Sequence, residues 1–539
     1  MKELFKKNHL AGILWIFFYF FIFTLLLKGS FGYLDPDLGW HLKAGEEIVK
    51  TGFVPDVNHY NYTFTGAWVD HEWLSNLLVY EIYSHWGYIA LSVLFALLIV
   101  GVLIILNIWA QRACPGAAPG FIIFFQLFGV LASSPHFGVR MQEIGLVFLT
   151  LILLIIYHYN KHKNWKLLLA LVPIMYLWAC LHGSFLIGFA IFFIWIGVKV
   201  LEKFLSRYYK RDWLDFSNVL KWREIMIFSG PVLLAIIATL LTPYKLKLYS
   251  FLNGYKDNFY VGHIQEWLSQ FHYPFQYRQL IYLALVLLAV FFYIYYSRGN
   301  KRYWRLDLWT LSLTALFVFL SFKSHRHFPL MFVATFGFLI GVFSRLFEIR
   351  NRENDPEKEK SWLKKNWLRW YLLVCLVLAA LLQLVRTDFT SSPFSSFRRH
   401  YPVGAAEFLK ERPQYDSIRL FNDYGWGGYL IWKLPDRRLF IDGRLPQVEY
   451  QGHSYLEEYL SFFQPETDIL KKLESYNIGL ILIPFKDKEI RAKRWEQILF
   501  GLSDRDLAGH NYLRDYLVGS DAWQPIYYDR TAIIYKRIK

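Results

Sequence analysis

The sequence predicts a polytopic α-helical membrane protein that carries a soluble α/β domain at its carboxyl end. Of the 539 residues, 55% are hydrophobic and 20% are aromatic, far more apolar surface than a water-soluble chain needs. Nearly uncharged apolar runs such as 10–27 and 89–109 recur, and each reaches the roughly 20 residues that span a hydrocarbon core as a helix. After about position 386 the pattern changes to short apolar runs between polar stretches, which is typical of a soluble domain.

The apolar runs predict about eleven spanning helices. They lie near 10–28, 87–109, 119–134, 142–158, 166–181, 183–201, 225–243, 279–296, 306–322, 328–346 and 367–385. The first run follows three lysines, as a signal peptide would, but it is longer than a usual signal core and no small-x-small cleavage site follows it. We therefore expect a retained helix there.

The basic residues between the apolar runs predict the orientation of the helices. With the amino terminus in the cytoplasm, the inside loops hold most of the Lys and Arg residues: Arg112, Lys161, Lys163, Lys203, Arg207, Lys210, Arg211, Lys221, Arg223, Arg298, Lys301, Arg302, Arg305 and the segment 345–365. This asymmetry is the one that the positive-inside rule describes. It places a transmembrane domain at 1–386, a cytoplasmic linker at 351–365 and an extracytoplasmic α/β domain at 387–539.

The formal charge of +16 is spread over these loops, so the sequence does not predict a nucleic-acid partner. Three cysteines without paired spacing predict neither a disulfide framework nor a zinc site. In the soluble domain, 418–421, 438–441 and 479–483 have the composition of short buried strands, and 454–463 that of a helix. The tail 524–536 predicts a hairpin that turns at Asp529 and Arg530.

The first outside loop, 31–86, is long and acidic. Apolar residues at close to helical period predict a helix over 38–50, with Asp35 as its cap and Pro36 at the first helical position. Asp37 and His41 are four residues apart, so they would share one face of that helix and meet at a single site. Either helix capping or a catalytic role would account for the presence of Asp35 at this position.

A second cluster in this loop places Asp70, His71 and Glu72 in a row between Trp68 and Trp73. These three groups suit the binding of a cation or the movement of a proton. The alternative is an interfacial aromatic belt with solvated charges.

Basic side chains occupy the other outside turns. Arg140 and Gln142 follow one apolar run, His182 interrupts another, and Arg326 and His327 share a short turn with further basic residues at 323 and 325. Charge and irregular backbone at this depth line a cavity more readily than they face lipid. A basic cluster opposite an acidic one predicts a site for an anionic phosphate ligand beside a carboxylate base or a carboxylate-bound metal. For His182 alone, the sequence favours a hydrogen-bonded histidine at a helix end.

Several motifs resemble those of the GT-C superfamily of integral-membrane glycosyltransferases, and more narrowly a poorly characterised group of bacterial GT-C-like membrane proteins. They are DPDLGWH at 35–41, WVDHEWL at 68–74, LHGS at 181–184, RHFP at 326–329, NDYGWGGYL at 422–430 and FIDGR at 440–444. The resemblance covers most of the chain. At 140–143 the sequence has Arg-Met-Gln-Glu where related chains often have Arg-Pro-Gln, which weakens a specific role for Gln142 more than for Arg140.

The resemblance implies inverting transfer of a hexose or pentose from a polyprenyl-phosphate-linked donor to a glycan, lipid or protein acceptor on the extracytoplasmic face of the cell membrane. The catalytic candidates are Asp35, Asp37, His41, Asp70, His71 and Glu72, with Asp35 or Asp37 as the base. The candidates for binding the donor phosphate are Arg140, His182, Arg326 and His327. A metal requirement varies among GT-C enzymes, and Asp37 and Glu72 are the candidate ligands of Mg²⁺ or Mn²⁺.

Two other functions fit the sequence. A transporter or flippase would have many helices, but it usually carries ionisable groups or broken helices near the midplane, often in repeated halves, and none is visible here. A non-catalytic envelope-assembly protein would use the soluble domain to bind its partner and the helices only as an anchor.

Overall fold

The computed structural model of the chain describes residues 9–115, 117–208, 214–216, 219–256, 258–299, 305–353, 366–389, 400–450, 452–465, 467–486, 491–502 and 511–538. Most of the run 351–365, which the sequence predicts to be a linker, lies outside the described residues.

The part before residue 386 is helical. Its described α-helices, several of them joined by short 3₁₀ turns, are α1 His9–Gly32, α2 Leu38–Thr51, α3 Trp73–Ala113, α4 Pro119–Ser133, α5 Gln142–His162, α6 Leu171–Leu181, α7 Leu186–Tyr208, α8 Trp222–Thr239, α9 Leu246–Asn253, α10 Asn258–His263, α11 Tyr277–Gly299, α12 Leu308–Lys323, α13 Phe328–Glu353 and α14 Asn366–Val385.

The lengths and compositions of these helices make the chain a multi-pass membrane protein. Within the described ranges, seven helical segments are long and apolar enough to cross a membrane: Gly12–Gly32, Trp73–Ala113, Gln142–His162, Gly183–Tyr208, Trp222–Thr239, Tyr277–Arg298 and His325–Glu348. Shorter apolar helices lie at Trp165–Leu181, Leu308–Lys323 and Trp370–Val385. Helix α4 is also short and apolar, with 15 residues. A helix thus lies at each predicted range, while the number that crosses the bilayer stays a prediction.

Helix α3 joins the first loop to the membrane. It bends at Gly87, whose φ of 74° and ψ of −174° lie outside the helical region and suit glycine because it has no Cβ. The predicted span 87–109 begins at this bend. The part before it therefore belongs to the first loop, where it packs against α2 so closely that a Cβ on Gly45 would lie 2.2 Å from the Asn76 carbonyl oxygen.

The carboxyl-terminal part is the predicted α/β domain. Its described helices are α15 Val403–Lys410, α16 Gly427–Lys433, α17 Tyr455–Ser461, α18 Ile469–Ser475, α19 Arg494–Phe500 and α20 Tyr512–Gly519. Its strands are β1 Arg419–Asn422, β2 Glu449–Tyr450, β3 His453–Ser454, β4 Ile478–Pro484, β5 Trp523–Tyr528 and β6 Ala532–Arg537. Four of them form a sheet of order β1-β4-β6-β5, in which β1 and β4 run parallel and the other pairs antiparallel, and β2 pairs with β3.

These elements confirm the predictions at 418–421, 454–463, 479–483 and 524–536, but the predicted strand at 438–441 is wrong. Leu439 makes only isolated bridges, to Asn61 and to Leu420. The reason is that no neighbouring strand pairs with this segment over several residues. The Leu439 N–H donates to the Tyr60 carbonyl at 2.9 Å, and the Phe440 N–H donates to the Asn422 side chain at 2.9 Å.

The first loop and the carboxyl-terminal part share one hydrophobic core. Buried Leu38 and Trp40 of α2 pack in the same cluster as Leu430 of α16 and Leu480 of β4. Two glycines allow the backbones to touch, since a Cβ on Gly39 would lie 2.1 Å from the Gly428 carbonyl oxygen. The soluble part is therefore fixed directly on the acidic loop.

Candidate active site

A cavity of about 890 Å³ lies where the first loop, several turns between helices and the carboxyl-terminal part meet. It brings together nine of the ten predicted site residues: Asp35, Asp37, His41, His71, Glu72, Arg140, His182, Arg326 and His327. Gln142 also lines it. The tenth residue, Asp70, is fully buried and does not line the cavity.

The turn before α2 positions the two leading carboxylates. The helix begins at Leu38, as the predicted range 38–50 has it, and Asp37 stands at its N-cap without a side-chain cap bond. The predictions of Asp35 as the cap and of Pro36 at the first helical position are therefore wrong. The reason is a turn ahead of the helix, in which Asp35 Oδ1 accepts the Asp37 N–H at 2.8 Å and the Asp35 carbonyl accepts the Leu38 N–H.

Asp35 is already paired. Its Oδ2 lies 2.6 Å from Arg140 Nε, and both side chains are largely buried. Its Oδ1 accepts the Asp37 N–H, so both oxygens of Asp35 already have partners within the protein.

Asp37 has a different environment. Its Oδ1 accepts the indole N–H of Trp40 at 2.9 Å, and Gly443 of the soluble part lies against the same oxygen, where a Cβ would come within 2.2 Å. Burial, followed by the neighbouring charge of Asp35, raises the pKa of Asp37 to about 7. A carboxylate with a pKa near neutrality is suited to exchange a proton with a substrate.

Glu72 is surrounded by three imidazoles. Its oxygens lie 3.2 Å from His182 Nε2, 3.4 Å from His71 Nε2 and 3.6 Å from His41 Nε2. Burial alone would raise the pKa of Glu72, but the imidazoles, foremost His71 and then His182, hold it below its usual range. The Glu72 carboxylate is therefore already engaged by three imidazoles of the protein.

The tautomer of His182 follows from its helix-end position. Its Nδ1 accepts the Ser184 N–H at 3.0 Å, so the proton of the neutral ring lies on Nε2 and points to Glu72. Burial lowers the pKa of His182 to about 4, which keeps the ring neutral. Both interpretations of His182 therefore hold: it is a hydrogen-bonded histidine at a helix end, and it lines the cavity.

Asp70 lies beneath the residues that line the cavity and contacts one of them through Asn76. Both of its oxygens accept the Asn76 amide N–H₂ at 2.8 Å, which leaves Asn76 Oδ1 to accept from His41 Nδ1 at 2.5 Å. This chain orients the His41 ring so that its Nε2 faces Glu72. Asp70 therefore positions His41 and does not meet a ligand in the cavity.

The two arginines differ in how much of their charge is free. Arg140 Nη1 lies 2.7 Å from Glu266 Oε1, in addition to the Asp35 contact, and its side chain is 7% exposed. Arg326 reaches Glu266 only at 3.7 Å, lies 5.2 Å over the Trp267 ring, and is 29% exposed. Burial would raise the pKa of Glu266, but Arg140 and then Arg326 lower it to about 2. Arg326 is therefore the more available of the two for an anion.

We call Asp35, Asp37 and Glu72 with its imidazoles the acidic wall, and Arg140, Arg326 and His327 the basic wall. Burial leaves His327 Nδ1 without a hydrogen-bond partner among the described residues, and the same holds for both ring nitrogens of His136, which also lines the cavity. Such unpaired buried groups are costly unless a ligand or water meets them.

The carboxyl-terminal part supplies a further side of the cavity through residues near Tyr424, Gly428 and Arg444. Arg444 is held by Asp442 at 2.8 Å and lies between the rings of Tyr60 and Trp68, at 4.5 and 4.6 Å. Trp68 is consequently buried, which rules out the aromatic-belt alternative for this residue.

The sequence did not indicate several of the cavity residues, among them Glu266, Trp267, Tyr255, Tyr260 and His136. Glu266 and Trp267 lie between the predicted spans 225–243 and 279–296, in a segment that the orientation argument already placed outside. Only this outside position could have indicated Glu266 and Trp267 as site residues, because they belong to none of the motifs.

The predicted metal site has no ready set of ligands. Among the residues that the structure describes, no group of three or more His, Cys, Asp and Glu side chains is arranged to hold a metal ion. Asp37 and Glu72 both line the cavity, but the neighbours of Glu72 are imidazole nitrogens, which Mg²⁺ does not favour. The described side chains therefore do not fit an Mg²⁺ site, and the metal requirement stays a prediction.

Comparison with solved structures gives the fold. The Archaeoglobus fulgidus oligosaccharyltransferase tethered to an acceptor peptide with an NVT sequon matches all of this chain and 75% of its own, with a TM-score of 0.53 and 11% identity. The chain has the GT-C fold.

Two further structures are similar. The A. fulgidus enzyme AglB in complex with an inhibitory peptide and a dolichol-phosphate matches 89% of this chain and 70% of its own, with a TM-score of 0.50 and 11% identity. ArnT from Cupriavidus metallidurans bound to undecaprenyl phosphate matches 98% and 97%, with a TM-score of 0.46 and 12% identity. No protein-family model and no curated protein matches the sequence.

Proposed function

We propose that this protein transfers a sugar from a polyprenyl-phosphate-linked donor to a hydroxyl group of an acceptor outside the cytoplasm, with Asp37 as the general base. One observation carries the proposal: in a GT-C fold, a buried carboxyl with a pKa of about 7 shares a single cavity with an accessible arginine. The similar AglB structure contains a dolichol-phosphate, which is a ligand of this class.

The proposed step is one displacement at the anomeric carbon. The acceptor oxygen forms a bond to that carbon as the bond from the carbon to the phosphate oxygen breaks, and the acceptor proton passes to Asp37. Attack opposite the leaving group inverts the configuration. Asp37 is the base because Asp35 and Glu72 are already engaged by Arg140 and by imidazoles.

The basic wall receives the leaving group. Arg326 carries a charge that Glu266 compensates only at 3.7 Å, so a phosphate gains a strong charge-assisted hydrogen bond there. Buried His327 offers an unpaired ring nitrogen nearby on the same turn. Arg140 contributes indirectly, since it fixes Asp35 and Glu266.

The acidic wall binds the sugar. Glu72, His71 and His182 present carboxylate and imidazole groups to the cavity, and such groups hydrogen-bond sugar hydroxyls. The transferred sugar is a hexose or a pentose. Arg444 and Tyr424 give the soluble part a share of the cavity, which favours an enzyme over a protein whose helices serve only as an anchor.

The test uses the full chain in proteoliposomes with a panel of radiolabelled undecaprenyl-phosphate hexoses and pentoses and a bacterial envelope extract as acceptor. We expect transfer from at least one donor by the wild type and transfer at least about 100-fold slower by Asp37→Asn that folds normally. The Glu46→Gln variant is the matched control, because Glu46 lies on the same helix but pairs with Lys43 and Lys50. Transfer that Asp37→Asn leaves unchanged would refute the proposed base, and flux of the donor without transfer would favour a flippase.

A further inference from the structure

An exposed apolar patch lies on the soluble part, on helix α19. Trp495, Ile498, Leu499 and Phe500 are 46%, 78%, 69% and 45% exposed, although all four are large apolar side chains. A soluble surface seldom concentrates such residues on one short helix unless the helix contacts something apolar.

The patch continues into the membrane-spanning part. The Phe500 ring lies 4.8 Å from Phe275, and the Trp495 ring lies 5.2 Å from Tyr277, the first residue of α11. One turn further along α11, Ile281 is 54% exposed and faces outward. The apolar surface of α19 is thus contiguous with a surface that lipid covers.

A polar contact fixes α19 to this position. Tyr277 Oη donates to Glu496 Oε1, and Tyr273 Oη donates to Glu496 Oε2 at 3.2 Å. Glu496 is the one buried charged residue of α19, and its carboxylate faces these two tyrosines while Ile498 and Leu499 stay exposed. The helix therefore cannot turn its apolar residues inward without losing this contact.

The sheet topology places α19 at the membrane side of the soluble part. The parallel strands β1 and β4 run towards the cavity, because Tyr424, which follows β1, lines it. In chain order α19 follows the cavity-side end of β4, whereas α18 comes just before the start of β4, at the opposite end of that strand.

Basic residues border the apolar patch. Lys493 and Arg494 are exposed at the start of α19. A short helix with large apolar residues, an aromatic ring at the level of a spanning helix end and flanking basic residues has the composition of an interfacial helix. Anionic headgroups attract such flanking charges.

We propose that α19 inserts its apolar face into the outer interface of the bilayer, and that anionic phospholipid headgroups are its partner. Because Gln276, next to Tyr277, lines the cavity, this contact holds the soluble part beside the cavity. The inference concerns the resting position of the soluble part and does not depend on the proposed reaction.

The test measures depth in the full chain, in vesicles of phosphatidylethanolamine and phosphatidylglycerol. Cysteines 114, 180 and 375 are first replaced by alanine, and Ile498→Cys or Leu499→Cys is labelled with bimane. Ser475→Cys, at the exposed end of α18, is the matched control on the far side of the sheet. No activity is read, so failure of this inference and failure of the proposed reaction are separate results.

We expect a blue shift of the bimane emission at 498 and 499 and loss of most of its intensity when lipids carry a shallow nitroxide, with neither change at 475. A Lys493→Glu change should weaken the quenching at 498 in the anionic vesicles. Emission at 498 and 499 that matches the aqueous emission at 475 would overturn the proposal.

Discussion

The acidic and basic walls of the cavity each combine charged groups that are paired within the protein with one group that is less engaged. On the acidic wall, Asp35 and Glu72 have partners within the protein, whereas the Asp37 carboxylate accepts only an indole N–H among the described contacts. On the basic wall, Arg140 is paired with two carboxylates, whereas among the residues that the structure describes the Arg326 guanidinium has one ion-pair partner, at 3.7 Å. The comparison teaches that availability, and not charge alone, distinguishes the groups that meet a substrate from those that position them.

The largest effect should come from removing the available carboxylate. We expect Asp37→Asn to lower kcat by about 100- to 10,000-fold, the usual contribution of a general base, with little change in KM. Glu46→Gln should leave both constants unchanged. Steady-state transfer kinetics check the split, and a loss confined to KM would assign Asp37 to binding.

The second effect tests the available cation. Arg326→Gln should weaken binding of undecaprenyl phosphate by about tenfold or more, because it removes a charge-assisted hydrogen bond. Lys323→Gln is the matched control, since Lys323 belongs to the same basic segment but lies over the Phe319 ring and outside the cavity lining. Calorimetry in nanodiscs measures both. Equal losses in the two variants would mean that the basic turn acts only as a diffuse charge.

The third effect tests whether the soluble part positions the base. A Cβ at Gly443 would lie 2.2 Å from Asp37 Oδ1, so Gly443→Ala must displace that oxygen. We expect kcat to fall about 10- to 100-fold, as small misplacements of catalytic groups do. Gly519→Ala, where a Cβ would meet nothing within 4 Å, should have no effect. Full activity of Gly443→Ala would show that the contact is not needed.

The sequence predicted most of the fold because apolar runs and loop charges are local signals. It also predicted nine of the cavity residues, because their motifs lie at the ends of helices on one side of the bundle. It did not reveal that Asp70 serves His41 through Asn76, since that chain depends on side-chain packing between α2 and α3.

Long-range contacts account for the other differences. The residues at 438–441 have strand composition, yet their backbone partners are Tyr60 and the Asn422 side chain, which no local pattern indicates. Glu266 pairs with Arg140 across more than a hundred positions of sequence, so the sequence did not indicate that it lies beside the basic wall.

The smallest effect concerns the pKa of Asp37. Asp35→Asn removes the second cause of the raised pKa and leaves burial, the first, in place. The pKa of Asp37 should therefore fall, and the acid limb of activity should move to lower pH by roughly one unit. Because Arg140 loses a partner in this variant, kcat at the plateau is recorded separately from the position of the limb.

The most direct measurement of the central claim is the pH dependence of kcat/KM for the wild type. A base must be ionised to accept a proton, so a pKa raised to about 7 predicts activity that is low in acid, rises through pH 7 and then levels off. The residual activity of Asp37→Asn should show no such limb. A flat wild-type profile between about pH 5 and 8, or an unchanged limb in Asp37→Asn, would contradict the assignment of Asp37 as the base.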